Sequence, residues 1–186
     1  MKRLPFAAVF LALLPLAARA EEKGDNPFRN AKVGDWVEYK MVTNVGAFKA
    51  DGTVKMTVTA KTDKEATLKG VATVNGTETP AQETKIDLTK PYDPLSAANL
   101  PKGADVKVEK TGMGKDKVKA MGKDYDCDWV KFKVNGKSQG VDLDGDAKVW
   151  MSKAAPLGGM VKMEMNAKVA GMDMKMTMEL ANSGSK

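Results

Sequence analysis

The residues of most chemical character in this sequence are its methionines. The chain has 13, and eight of them fall between Met151 and Met178. Met172, Met174, Met176 and Met178 alternate along one segment, and Met163 and Met165 form a shorter series upstream. Thioethers are soft ligands that select Cu(I), so Met172, Met174, Met176 and Met178 could together make a copper-binding strand. A spacing of two puts all four sulfurs on one face of a strand and Asp173, Lys175, Thr177 and Glu179 on the other. The charged side belongs in water, so the sulfur side turns inward. Methionine fills irregular interiors and accommodates varied apolar guests. The reading we favour is therefore a core or the lining of an apolar cavity, with copper as the alternative. In the cavity reading the ligand meets Met163, Met165, Met172, Met174, Met176, Met178 and Trp150.

The acidic residues offer a second chemistry. Asp142, Asp144 and Asp146 form a D-x-D-G-D run. Hard carboxylate oxygens at this density can hold Ca²⁺, but the order differs from the EF-hand loop, which also needs a distal glutamate. A hairpin turn at Asp144-Gly145 explains the same residues, and it is the preferred reading. Asp124, Asp126 and Asp128 form another trio, and calcium gains weight only if strand pairing joins the two. The chain has no histidine. That removes Ser-His and Cys-His pairs, histidine metal ligands and a histidine pH switch. Cys127 is the single cysteine, so no internal disulfide forms. Its place between Tyr125 and Trp129 reads as buried and inert. Gly158-Gly159 precedes a strand and lacks the helix N-terminus of a phosphate loop. No carboxylate pair stands out for acid–base work. The sequence thus predicts no enzyme, no catalytic residue and no cofactor.

The N-terminus sets the compartment. Met1-Lys2-Arg3 is basic, Leu4–Leu16 is almost wholly apolar, and Ala18-Arg19-Ala20 is a small-x-small cleavage pattern. Residues 1–20 therefore read as a secretory signal peptide. The apolar run is shorter than a bilayer-spanning helix needs, and no other stretch would span, so the mature chain is expected to be soluble and periplasmic or extracellular. Lys2, Arg3 and Arg19 would leave with the signal, lowering the net charge from +6 to +3. The remaining lysines alternate along strands and make no basic patch with interleaved aromatics, so nucleic acid is not an expected partner.

Period-two alternation recurs almost everywhere else, for example over Trp36–Val42, Val54–Lys61, Tyr125–Val134, Val161–Val169 and Met172–Leu180. A bulge is expected at Gly70. Hairpin turns are expected at Asn75-Gly76, Asn135-Gly136 and Asp144-Gly145. Strands are also expected over Ala104–Lys110 and Lys115–Ala120. Asp93-Pro94 could start a short helix reaching Asn99. The sum is a mainly β fold: a curved antiparallel sheet, half-barrel or barrel-like meander, with at most one or two short helices. Residues 21–31 are expected to be irregular, 32–181 to form a single β domain, and 182–186 to be a disordered tail.

Two pairs of segments echo each other. Asp35-Trp36-Val37-Glu38-Tyr39-Lys40 matches Asp128-Trp129-Val130-Lys131-Phe132-Lys133, and Val54–Lys61 matches Val161–Lys168. Gly34–Lys40, with Val149-Trp150-Met151-Ser152 and Pro156-Leu157-Gly158-Gly159-Met160-Val161-Lys162, resembles uncharacterised exported β proteins. Their general look is similar to the lipoprotein-carrier (LolA/LppX-like) superfamily. That resemblance implies a strongly curved sheet over an apolar cavity for acyl chains, and a lipid or other apolar partner. The few expected helices depart from the carrier pattern, in which short helices cover the cavity.

Overall fold

The computed structural model describes residues 26–90, 92, 105–138, 141–169 and 171–185. The signal segment and the helix expected at Asp93–Asn99 lie outside them. Ten strands occur: β1 Trp36–Val45, β2 Phe48–Lys61, β3 Glu65–Val74, β4 Thr77–Glu78, β5 Gln82–Asp87, β6 Asp105–Ala120, β7 Lys123–Ser138, β8 Val141–Met151, β9 Met160–Val169 and β10 Met172–Gly184. Pro27–Asn30 and Leu157–Gly159 are short 3-10 turns, and the described residues hold no other helix. The strands form one open antiparallel sheet in the order β4-β3-β2-β1-β10-β9-β8-β7-β6, with β5 also on β3. No helix of the described residues is long and apolar enough to cross a membrane.

The alternation read from the sequence becomes rows of cross-strand neighbours, which share a face. One row runs Val130, Val149, Met163, Met178, Met41, Gly52 and Val74 across seven strands. The next runs Phe132, Ala147, Met165, Met176, Thr43 and Ala50. Met163, Val149 and Val134 have no exposed surface. Among the described residues no helix covers this face, and β6 touches β9 and β10, so the sheet curls towards itself. We call this the inner face.

One turn expectation holds and several other local expectations change. Asn75-Gly76 is a turn, with φ of 48° and 80°, as the hairpin type demands. Asn135-Gly136 and Asp144-Gly145 are not turns: they lie inside β7 and β8, where Asn135 pairs with Asp144. Gly145 is there for a close approach, since a Cβ on it would sit 2.4 Å from the Asn166 carbonyl oxygen. Gly70 pairs in register with Met56, and the irregularity falls at Val58/Ala60 instead. The two strands expected over residues 104–120 are one, bent at a bulge between Lys110 and Gly112. The polar C-terminus is also drawn into pairing as far as Trp36 opposite Gly184, because backbone hydrogen bonds need no apolar side chain.

A smaller core closes one end of the sheet. Phe28, Ala31, Val58, Ala66, Leu68, Ile86 and Leu88 pack together. Asn26 caps the first turn by accepting from the Phe28 N–H, and donates to the Asp87 and Lys90 carbonyls at 3.0 and 3.2 Å. Arg29 donates to the Leu88 carbonyl at 2.9 Å, and Lys61 to those of Arg29 and Ala31. Residues 26–31 are thus fixed against the sheet end by side chains, although their sequence has no strand or helix period.

Candidate functional site

The structure gathers five of the methionines. Met163 lies beside Met178, Met165 beside Met176 and Ala167 beside Met174, and all five thioether side chains are at most 5% exposed. Met172 stands at the strand end, 43% exposed. Trp150 is not with them. It neighbours Trp129 and Lys162, on the outer face, where its indole N–H donates to Asp116 at 3.3 Å and the Lys148 ammonium lies 4.2 Å from its ring. Cys127, two residues before Trp129 on β7, pairs with Asp116 of β6. Cys127 is buried, its pKa pushed up to about 11 by desolvation and, less strongly, by the Asp116, Asp126 and Asp128 carboxylates.

The acidic trios stay apart. Asp142, Asp144 and Asp146 face Lys137, Asn135 and Lys133 across the β7–β8 ladder, and Asp124, Asp126 and Asp128 face Lys119, Lys117 and Lys115 across β6–β7. Asp142 pairs with Lys137 at 3.3 Å. No group of three or more acids, cysteines or histidines among the described residues is placed to hold a metal ion.

A cavity of about 520 Å³ opens at the sheet end closed by the 26–31 segment. Its wall comes from that segment, the start of β1, the middle of β7, the loop after β8, and the end of β10. Trp36, Val130, Met151, Ala155 and Leu157 supply apolar surface, and Ser152, Ser183, Ser185, Asp35, Asp128 and Lys153 supply polar groups. The loop's shape depends on two glycines at φ +79°. A Cβ on Gly158 would lie 3.0 Å from the buried Phe28 ring, and one on Gly159 would lie 2.9 Å from the Ser152 carbonyl. No other residue type reaches that conformation at so little strain. Asp35 accepts from the Lys32 N–H at 2.7 Å and from the Ser185 hydroxyl, and these bonds, Ser185 first, hold its carboxyl below the usual range.

Sequence reasoning missed this cavity as a site, although it had singled out most of its wall. The Gly34-Asp35-Trp36 segment and the Met151-Ser152 to Gly158-Gly159 segment meet here. The other copy of the Asp-Trp-Val echo arrives as well, through Asp128 and Val130. The signal was present as two copies of one motif, but nothing in a linear pattern shows that they converge.

No protein-family model matches the chain, and no curated protein does. Solved structures show distant likenesses. A protein with a YmcC-like fold from Bacteroides fragilis is 11% identical, with 83% of this chain and 97% of that one covered at a TM-score of 0.48. The hypothetical lipoprotein YmcC from Escherichia coli is 11% identical, covering 77% and 87% at 0.35. A domain named for outer-membrane lipoprotein sorting, from Vibrio parahaemolyticus, is 9% identical, covering 85% and 88% at 0.29. A LolA-superfamily protein from Nitrosomonas europaea, 8% identical at a TM-score of 0.22, is among the similar chains too.

Proposed function

We propose that this protein is an exported, non-enzymatic binding protein that takes a lipid-like or other apolar ligand in the cavity beneath the 153–159 loop. The observation that carries this reading is the cavity itself: about 520 Å³, with Val130, Met151, Ala155 and Leu157 as apolar wall. Pockets of this size and lining are where small apolar molecules bind. The wall meets the interior at Val130, because Val130 neighbours Val149 and Val149 neighbours Met163. A chain entering at Val130 would be directed along the methionine rows, whose side chains are flexible enough to repack around it. Export rests on the signal pattern of residues 1–20. The non-enzymatic reading is supported by the wall chemistry: Ser152 Oγ accepts from the Ala154 N–H at 3.3 Å, and the chain has no histidine to activate it.

Native mass spectrometry of protein purified from its own export compartment tests the reading. An apolar molecule should co-purify with the natural chain and be lost from an Ala155→Trp variant, whose indole fills the cavity. No bound molecule in the natural chain, or equal loading of both, overturns it. The copper alternative has one observation in its favour, the placement of Met163 beside Met178 and Met165 beside Met176. A Cu(I) titration under reducing conditions, with no tight binding, removes it.

A further inference from the structure

The turn that joins β6 to β7 carries a methionine in a backbone conformation that methionine does not favour. Ala120 pairs with Lys123, so Met121 and Gly122 alone make the turn, at φ values of 51° and 76°. Such a turn prefers asparagine, aspartate or glycine at its first position, and Asn75 fills that position between β3 and β4. The Met121 side chain is 39% exposed. Four residues on, Tyr125 is 2% exposed, and its hydroxyl donates to the Met121 sulfur at 3.9 Å. This is the one hydrogen bond that the hydroxyl makes among the described residues. The Lys123 ammonium lies 4.8 Å from the same ring. A thioether is a weak acceptor, so a buried phenol is left poorly matched, which costs stability. Neither Met121 nor Tyr125 lines the cavity.

We propose that Met121 is an oxidation site, where an oxygen-donating oxidant such as hypochlorous acid converts the thioether to a sulfoxide that the Tyr125 hydroxyl then holds. The oxidant's oxygen bonds to the sulfur, which gives up two electrons. The chlorine takes them and leaves as chloride, and one proton passes to water. The product is methionine sulfoxide, a reversible modification. An oxygen on that sulfur, turned towards Tyr125, comes within the ordinary O–H···O range of about 2.5–3.0 Å, and it is a stronger acceptor than the sulfur was. Met113 and Met172 are more exposed, at 59% and 43%. Among the described residues, however, Met121 is the methionine whose sulfur receives a hydrogen bond. Met163, Met165, Met174, Met176 and Met178 are at most 5% exposed, and a polar sulfoxide there would disrupt apolar packing. Oxidation is therefore tolerated outside the sheet, and at Met121 it adds a bond.

Treatment with a few equivalents of hypochlorous acid, followed by peptide mass mapping and thermal unfolding, tests the site. A chain carrying Met113→Leu and Met172→Leu leaves Met121 as the exposed methionine of the described residues. In it Met121 should gain one oxygen while the five inner methionines stay reduced. The added bond should raise the thermal midpoint by about 2–4 °C, and a methionine sulfoxide reductase should reverse the rise. Tyr125→Phe in the same chain keeps the buried ring and removes the donor, so oxidation should no longer raise its midpoint. The quantity read is the change on oxidation within each chain, so any cost of the substitution itself cancels. Oxidation of Met163 or Met178 ahead of Met121, a midpoint that fails to rise with tyrosine present, or a rise that persists with phenylalanine overturns the inference.

Discussion

Replacing Met178 tests whether its sulfur acts as packing volume or as a ligand atom. The side chain is 1% exposed and sits between Met163 on β9 and Met41 on β1. Met178→Leu keeps nearly the same volume and apolar character, and such swaps cost less than about 1.5 kcal/mol. Met178→Ala removes most of the side chain from the middle of a buried cross-strand row. The lost burial is worth roughly 1.5–3 kcal/mol, and the void left behind raises the total to about 2–5 kcal/mol. For a chain of this size, about 3 kcal/mol lowers Tm by roughly 6–12 °C. Denaturant unfolding followed by tryptophan fluorescence reads both variants against the natural chain. If leucine costs as much as alanine, the thioether does something that volume does not explain. If alanine costs under about 1 kcal/mol, the row is not close-packed. Either result refutes the packing argument.

Two further outcomes follow from single groups. Thr43 is buried in the second methionine row, and among the described residues its hydroxyl is the one buried side-chain polar atom without a hydrogen-bond partner. Thr43→Val should therefore stabilise the fold by roughly 1 kcal/mol, seen as a higher unfolding midpoint, and a loss of that size would show that the hydroxyl is paired. Asp87 accepts from the Thr89 hydroxyl at 2.5 Å and N–H at 2.9 Å and pairs with Lys90 at 3.2 Å, bonds that hold its pKa at about 2. Its contribution is fully present above the unfolded value of about 3.9 and is lost as pH falls towards about 2. Carboxyl-carbon NMR should show Asp87 still ionised at pH 3, and a midpoint near 4 would contradict these bonds.

How far the fold was legible varies by element. Met172–Leu180 and Val161–Val169 were readable as strands because each has one charged and one apolar face, and only a pleated chain separates them. Asn75-Gly76 was readable because its turn needs two positive φ values that few dipeptides supply. Asp144-Gly145 has the same letters as a turn and is not one. What decides it is the approach of β9 to within 2.4 Å of a hypothetical Cβ, a contact between residues far apart in sequence. Phe28 reads as part of an irregular segment, yet it is buried and supports the loop over the cavity.

The sequence by itself determined the strand period, the inward side of the methionines, and the absence of histidine chemistry, because side-chain polarity and residue type are local properties. Only the tertiary structure decided that Trp150 faces away from the methionines, that the two acidic trios never meet, and that Asp35 and Asp128 share one cavity. Each of these depends on how ten strands register and how tightly their sheet curls, and both are set by contacts between residues many positions apart.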